Sequence, residues 1–256
     1  MSLLDGAVVV VTGAASGNGR GIALAAARHG ARAVVVADVS RDPREGGEPT
    51  DLLLEQMGVD CRFVETDVSD LAQLQACVDA AEEFGGVTVM VNNAGVLSTT
   101  PFLDAGEAEF ERVMGINVKS VFFGSQFAAA SMVRDGRRGS IVNLSSTSAI
   151  RGTGELPIYT ATKGAVQSLS YALAGSLGQH GIRVNALCPG IIRTSMTETD
   201  MDMTTEGVQS LIPLGRFGQP SDVGDAVAYL ASELSAYVTG TSLVLDGGMT
   251  YAEALS

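Results

Sequence analysis

Cysteine, histidine and basic residues are scarce in this chain, and each shortage excludes a class of function. Only Cys61, Cys77 and Cys188 occur, scattered singly on apolar segments, which reads as buried reduced thiols rather than a disulfide framework or a thiol nucleophile. The two histidines, His29 and His180, lie far apart with no cluster of other ligands, so no protein metal site is expected. Lys and Arg total 16 against 29 Asp and Glu, a formal charge of -13; so acidic a surface disfavours nucleic acid and anionic membranes as partners. Long hydrophobic runs are lacking as well. The first, at 7–11, is too short to cross a bilayer, and Met1-Ser2-Leu3-Leu4-Asp5 ahead of it has no charged leader, so a cytoplasmic protein is expected.

What is present is a core-forming composition: 46% hydrophobic and 18% charged residues over 256 positions, with no low-complexity tract. That suits one α/β domain spanning 1–256. Seven β-branched or apolar runs, at 7–12, 33–37, 62–65, 87–91, 140–144, 183–188 and 242–248, alternate with helical segments, among them 21–29, 71–84 and 223–231. Such alternation predicts a doubly wound parallel sheet, the Rossmann arrangement, with helices on both faces. The segment Arg41-Asp42-Pro43-Arg44-Glu45-Gly46-Gly47-Glu48-Pro49 is rich in charges and breakers, hence an exposed loop.

Chemistry concentrates in Tyr159-Thr160-Ala161-Thr162-Lys163. On a helix, residues four apart share a face, so the phenol and the ammonium stand one turn from each other. A cation about 4 Å away at an effective dielectric of about 20 favours a phenolate by up to roughly 4 kcal/mol. That is about three pK units, enough to bring a tyrosine from about 10 to near 7, where general acid/base chemistry works best. The pair alone is common on exposed helices. Here, however, the apolar run Ser140-Ile141-Val142-Asn143-Leu144 empties into Ser145-Ser146-Thr147-Ser148, and Ser146 lies thirteen residues before Tyr159.

Two further motifs complete the set. Thr12-Gly13-Ala14-Ala15-Ser16-Gly17-Asn18-Gly19 follows the first strand, with glycines spaced to allow a tight turn and the approach of a pyrophosphate to the start of a helix. Asn92-Asn93-Ala94-Gly95 follows the fourth strand. Together, in this order and spacing, these motifs resemble the classical short-chain dehydrogenase/reductase family over essentially the whole chain.

The resemblance implies a strand order of 3-2-1-4-5-6-7 and hydride transfer between a nicotinamide cofactor and a secondary alcohol or ketone. Asn117, Ser146, Tyr159 and Lys163 are then the catalytic residues. Ser146 holds the substrate oxygen, Tyr159 moves its proton, Lys163 serves both the tyrosine and the nicotinamide ribose, and the Asn117 backbone holds a water on the proton route. Ser145 competes with Ser146 but lies one residue farther from Tyr159. The implied cofactor contacts are Gly13, Ser16, Gly17, Asn18 and Gly19 in the turn, Asp67 and Val68 at the adenine, and Asn93, Ala94 and Gly95 at the ribose. Pro189, Gly190, Ile192 and Thr194 stand at the nicotinamide, beside Tyr159 and Lys163.

Asp38 ends the second strand nineteen residues beyond Gly19, where a carboxylate accepts from the adenosine ribose and repels a 2′-phosphate, so NAD is the expected cofactor. Arg41 and Arg44 lie nearby and bear on that preference. The resemblance also implies a substrate lid at about 194–215, a mostly apolar pocket lined by Val96, Leu97 and residues 150–156, and a homotetramer. Two rivals remain. One is a 3-oxoacyl reductase using NADPH, docking an acidic acyl carrier protein through Arg134, Arg137 and Arg138; His180 stands where such enzymes commonly place Arg. The other is a dinucleotide-sensing protein that lost catalysis.

Overall fold

β-Branched runs buried on both faces build the centre of the molecule, because a parallel sheet covered by helices on each side has no solvent face to alternate with. The computed structural model describes residues 2–199 and 206–252. The first half of the chain runs β1 (Val8–Thr12), α1 (Gly17–Arg28), β2 (Ala33–Asp38), α2 (Thr50–Gln56), β3 (Asp60–Glu65), α3 (Leu71–Asp79) and β4 (Val89–Asn92). The middle holds α4 (Glu107–Met114), α5 (Ser120–Arg134), β5 (Gly139–Leu144), α6 (Ser148–Arg151) and α7 (Pro157–Leu177). The chain then passes through β6 (Ile182–Pro189), α8 (Ser195–Thr199), α9 (Glu206–Gln209), α10 (Pro220–Ala231) and β7 (Ser242–Leu245).

The seven strands pair in the order β3-β2-β1-β4-β5-β6-β7, all parallel. The valines of β1 show how the two layers are specified. Val9 and Val11 join Ile22, Val223, Val227 and Leu230 under α1 and α10, while Val8 and Val10 join Leu74, Val78, Ala128 and Met132 under α3 and α5. Successive side chains on a strand point to opposite faces, so one run of valines serves both cores. Between β1 and β4 the strand order changes direction, and the crevice at the C-terminal ends of such strands is where ligands bind in open α/β sheets.

Several boundaries differ from the sequence expectation. Helix α1 starts at Gly17 rather than 21 and takes in Gly19 and Gly21, which pack where a side chain cannot fit: a Cβ on Gly19 would overlap the Gly13 carbonyl, and one on Gly21 would lie 2.5 Å from Pro220. Segment 71–84 is an α-helix only to Asp79 and continues as a 3-10 turn to Phe84. Between α4 and α5 the residues Gly115–Lys119 form a π-helical segment. The last strand ends at Leu245, where Gly247 and Gly248 turn with φ of 66° and 95°. Of the lid expected at 194–215, residues 200–205 lie outside the described residues. Among the described residues no helix is long and apolar enough to cross a membrane.

Candidate active site

Helix α7, which carries Tyr159 and Lys163, is pinned to the end of β5 at a single residue. Lys163 Nζ donates to the Leu144 carbonyl at 2.7 Å, and the Ser145 hydroxyl donates to the Lys163 carbonyl at 2.8 Å. Ser145 is thereby spent on backbone and buried. Ser146, the next residue, accepts from the Ser148 N–H at 3.1 Å and faces the Tyr159 phenol. The two serines therefore differ in what they touch, Ser145 the backbone of α7 and Ser146 the phenol, a difference that spacing alone expressed as a single position.

Tyr159 and Lys163 come together as the four-residue spacing requires, with Nζ 5.5 Å from the centre of the phenol ring. The electrostatics differ from the sequence expectation. Burial raises the Tyr159 pKa above its usual value, and the Ser146 hydroxyl only partly offsets this. Burial also pushes Lys163 down, to about 8. The expected drop of the phenol toward neutrality is thus absent from the free chain. The physical reason is that desolvation penalises the charged form of both groups, while Nζ is turned to the Leu144 carbonyl rather than to the phenol oxygen.

Asn117 lies fully buried in the π-helical segment. Its Oδ1 accepts from the Val96 N–H at 2.8 Å, and its Nδ2 donates to the Val96 carbonyl at 2.9 Å and to Thr162 Oγ1 at 3.2 Å. The Thr162 hydroxyl donates in turn to the Tyr159 carbonyl at 2.7 Å. This amide fastens the strand-end loop after β4 to the helix that carries the tyrosine. A π insertion is a register shift that recurs at functional sites.

A cleft of about 860 Å³ runs along the strand ends. The sequence-assigned residues Gly13, Ser16, Gly17, Asn18, Gly19, Asp38, Asp67 and Val68 line one end of it; Asn93, Ala94, Gly95, Ser146, Tyr159, Lys163, Pro189, Gly190, Ile192 and Thr194 line the rest. Its volume suits a large organic ligand. The turn after β1 is shaped for close approach: Gly13 and Gly17 have φ of 66° and 49°, and Gly17 faces the Thr194 methyl, 3.3 Å from where a Cβ would sit. These residues fit a dinucleotide, whose phosphates would lie at the α1 N-terminus.

Individual contacts refine the expected roles. Asn93 braces the turn, its Nδ2 donating to the Thr12 and Gly13 carbonyls at 2.8 and 3.1 Å. Asp67 accepts from the Ser69 N–H and hydroxyl at 2.9 and 2.7 Å, while the N-cap of α3 is Asp70, which accepts from Ala72 and Gln73. Asp38 accepts from the Ala15 N–H at 2.9 Å and the Val39 N–H at 2.8 Å, which holds the carboxylate at the cleft edge. Arg41 is committed elsewhere, forking onto Asp51 at 2.6 and 2.9 Å, whereas Arg44 lines the cleft.

At the end of the cleft beyond Tyr159, polar side chains stand among the expected apolar ones. Ser148, Arg151, Thr153 and Glu155 line it beside Val96, Leu97, Leu156, Met196 and Met249, whereas Ile150 faces a separate surface hollow. Met249 was not foreseen; its carbonyl accepts from Arg151 at 3.1 Å across a long sequence separation. A buried network also escaped the sequence reading. Asn92 Nδ2 donates to Ser125 Oγ at 3.0 Å and Asn143 Oδ1 at 2.8 Å, and Asn143 Nδ2 donates to Ser170 Oγ at 3.0 Å. The only signal was asparagine inside two otherwise apolar strands.

Comparison with known proteins adds to this geometry. A family model described as enoyl-(acyl carrier protein) reductase matches residues 13–250. The chain is 41% identical over 252 residues to an L-rhamnose 1-dehydrogenase (NAD(P)(+)) of Sphingomonas sp. (strain SKA58), covering 97% of this chain and 98% of that protein. It is 40% identical over 256 residues to an L-2,3-butanediol dehydrogenase of Corynebacterium glutamicum, covering 95% and 98%. Among solved structures it is similar to a short-chain type dehydrogenase/reductase from Mycobacterium marinum, with a TM-score of 0.89, 35% identity and 97% of each chain covered.

Proposed function

From the premise that this chain belongs to the classical short-chain dehydrogenase/reductase family, we propose that it is an NAD-preferring, cytoplasmic enzyme that interconverts a small secondary alcohol and its ketone. The observation that carries this reading is the convergence of Ser146, Tyr159 and Lys163 on one cleft whose far end is the glycine turn and Asp38. The bound cofactor would supply the hydride acceptor or donor at its nicotinamide ring.

The chain's own groups manage the proton and the orientation. Ser146 donates to the substrate oxygen, and Tyr159 takes the hydroxyl proton during oxidation and returns it during reduction. Lys163, buried beside the phenol ring, holds the ribose and supplies the positive charge. Since burial raises the Tyr159 pKa in the free chain, the phenolate has to be stabilised within the complex. Asn117 fixes the loop from Val96 against α7, and the family resemblance gives its backbone a water on the proton route.

Asp38 is the residue to which this reading gives the cofactor preference: a carboxylate held at the cleft edge supports it, since a ribose 2′-phosphate bound beside it would bring like charge. The polar lining from Ser148, Arg151, Thr153 and Glu155 supports a substrate with more than one oxygen, as do the rhamnose and butanediol named for the relatives. The acyl-carrier alternative is weakened by the basic cluster it would need. Arg134 and Arg137 are paired with Glu82 and Asp135 at 2.7–3.4 Å, so their charge is neutralised locally. Following reduced-nicotinamide absorbance across a panel of secondary alcohols, vicinal diols and aldoses tests the reading. No turnover of any hydroxyl compound with either cofactor would contradict it.

A further inference from the structure

The connection from β2 to α2, residues 39–49, meets the site above only at its cleft-lining residues, Val39 and Arg44 among them, yet it is fastened across the glycine turn. Glu45 Oε1 accepts from the Gly17 N–H at 3.0 Å, and the Arg44 N–H donates to Ser16 Oγ at 2.8 Å. Its base is anchored separately: Arg41 forks onto the buried Asp51, and the Thr50 hydroxyl donates to the Ala15 carbonyl at 3.2 Å. Immediately beyond Glu45 come Gly46 and Gly47, both left-handed at φ of 76° and 88° and with open space where a Cβ would stand. The loop thus has a fixed base, a charged tip and a glycine pair at which the chain can turn without steric cost.

Gly17 is the first residue of α1, and its N–H belongs to the set of amides that lack an intrahelical acceptor and carry the positive end of the helix dipole. A dinucleotide diphosphate seeks that same set. A protein carboxylate and a ligand anion therefore compete for one donor.

We infer that residues 39–49 form a strap which Glu45 latches to the first residue of α1, at the edge of the dinucleotide cleft, and that cofactor binding releases it. The inference rests on the proposed dehydrogenase reading for the identity of the competing anion; the latch itself stands on the Glu45–Gly17 and Arg44–Ser16 contacts. Because only the unlatched fraction is ready to bind, the latch lowers the apparent affinity for any dinucleotide. It makes Glu45 a determinant of cofactor affinity separate from Asp38, whose carboxylate is held by Ala15 and Val39.

The test uses the full-length protein and the variants Glu45→Gln and Glu48→Gln. The second removes the same charge from the same exposed loop without touching the turn. NADH affinity is measured by fluorescence titration, and hydrogen exchange is followed in the peptide covering 39–49. The strap predicts an NADH Kd about two- to fivefold lower in Glu45→Gln and unchanged in Glu48→Gln. It also predicts that NADH raises exchange in the wild-type strap and that Glu45→Gln reaches that raised level without ligand. Equal shifts in Kd for both variants, or strap exchange indifferent to both NADH and Glu45→Gln, would overturn it. If the wild type binds neither NADH nor NADPH, the dehydrogenase reading fails instead, and the latch is decided by whether Glu45→Gln alone raises strap exchange.

Discussion

Lys163 is a buried cation whose pKa falls to about 8, chiefly through desolvation. Its unfolded value is near the ordinary 10.5 of a lysine, so between about pH 8 and 10.5 the unfolded chain binds more protons than the folded one. Stability therefore rises with pH through that window, and the full penalty is present below it. Lys163→Met should raise the unfolding free energy at neutral pH by an amount on the order of 1–3 kcal/mol and flatten the pH dependence above 8. Denaturant unfolding at several pH values checks both; a destabilised variant with the slope intact would contradict the assignment. Because the same residue is proposed to hold the ribose, cofactor affinity and turnover should both fall. Asp38 makes the other prediction at this scale. Lost ribose hydrogen bonds and like-charge repulsion should separate NAD from NADP by at least about 3 kcal/mol, roughly two orders of magnitude in kcat/KM. Asp38→Ala should narrow that gap, and Arg41, committed to Asp51, does little to screen it. Equal kcat/KM with the two cofactors in the unmodified protein would contradict this role. That these residues would share one cleft was legible from motif and spacing. Their protonation was not, since it depends on burial and on where Nζ points.

Elements were legible where a pattern repeats and illegible where the backbone changes register. Seven apolar runs announced seven strands, and the boundary shifts of a few residues came from cap and glycine geometry. The π-helical segment Gly115–Lys119 left no pattern, because the hydrophobic period runs through it and no proline marks it; only Asn117, unfavourable inside a helix, hinted at it. The loop 40–49 was read correctly as exposed, but its attachment to the turn requires three-dimensional contact. Helix α1 depends on another unpatterned feature, its crossing with α10. A Cβ on Gly224 would lie 2.6 Å from the Ala25 Cβ and from the Gly21 carbonyl, so even the smallest side chain forces the helices apart. Gly224→Ala should cost about 1–3 kcal/mol, seen as a lower urea midpoint with unchanged slope. Unchanged stability would mean the crossing is looser than described.

The whole molecule presents a strongly acidic surface together with exposed apolar side chains at Phe110 and Phe122, on α4 and α5, and at Tyr171, Leu234 and Tyr237 near β7. We propose the homotetramer that the family resemblance implies, for which light scattering after size exclusion should give four times the chain mass; a monomer at micromolar concentration would contradict it. The cleft itself belongs to this scale, since it joins residues from Gly13 to Met249, and its polar substrate end was hidden because no short motif encodes it. The central claim is that Tyr159 moves the substrate proton. The direct measurement pairs turnover with NADH affinity in Tyr159→Phe, using the best alcohol from the panel. Affinity is expected to stay within a few-fold while kcat falls by at least about 10². Near-normal kcat in that variant would contradict it.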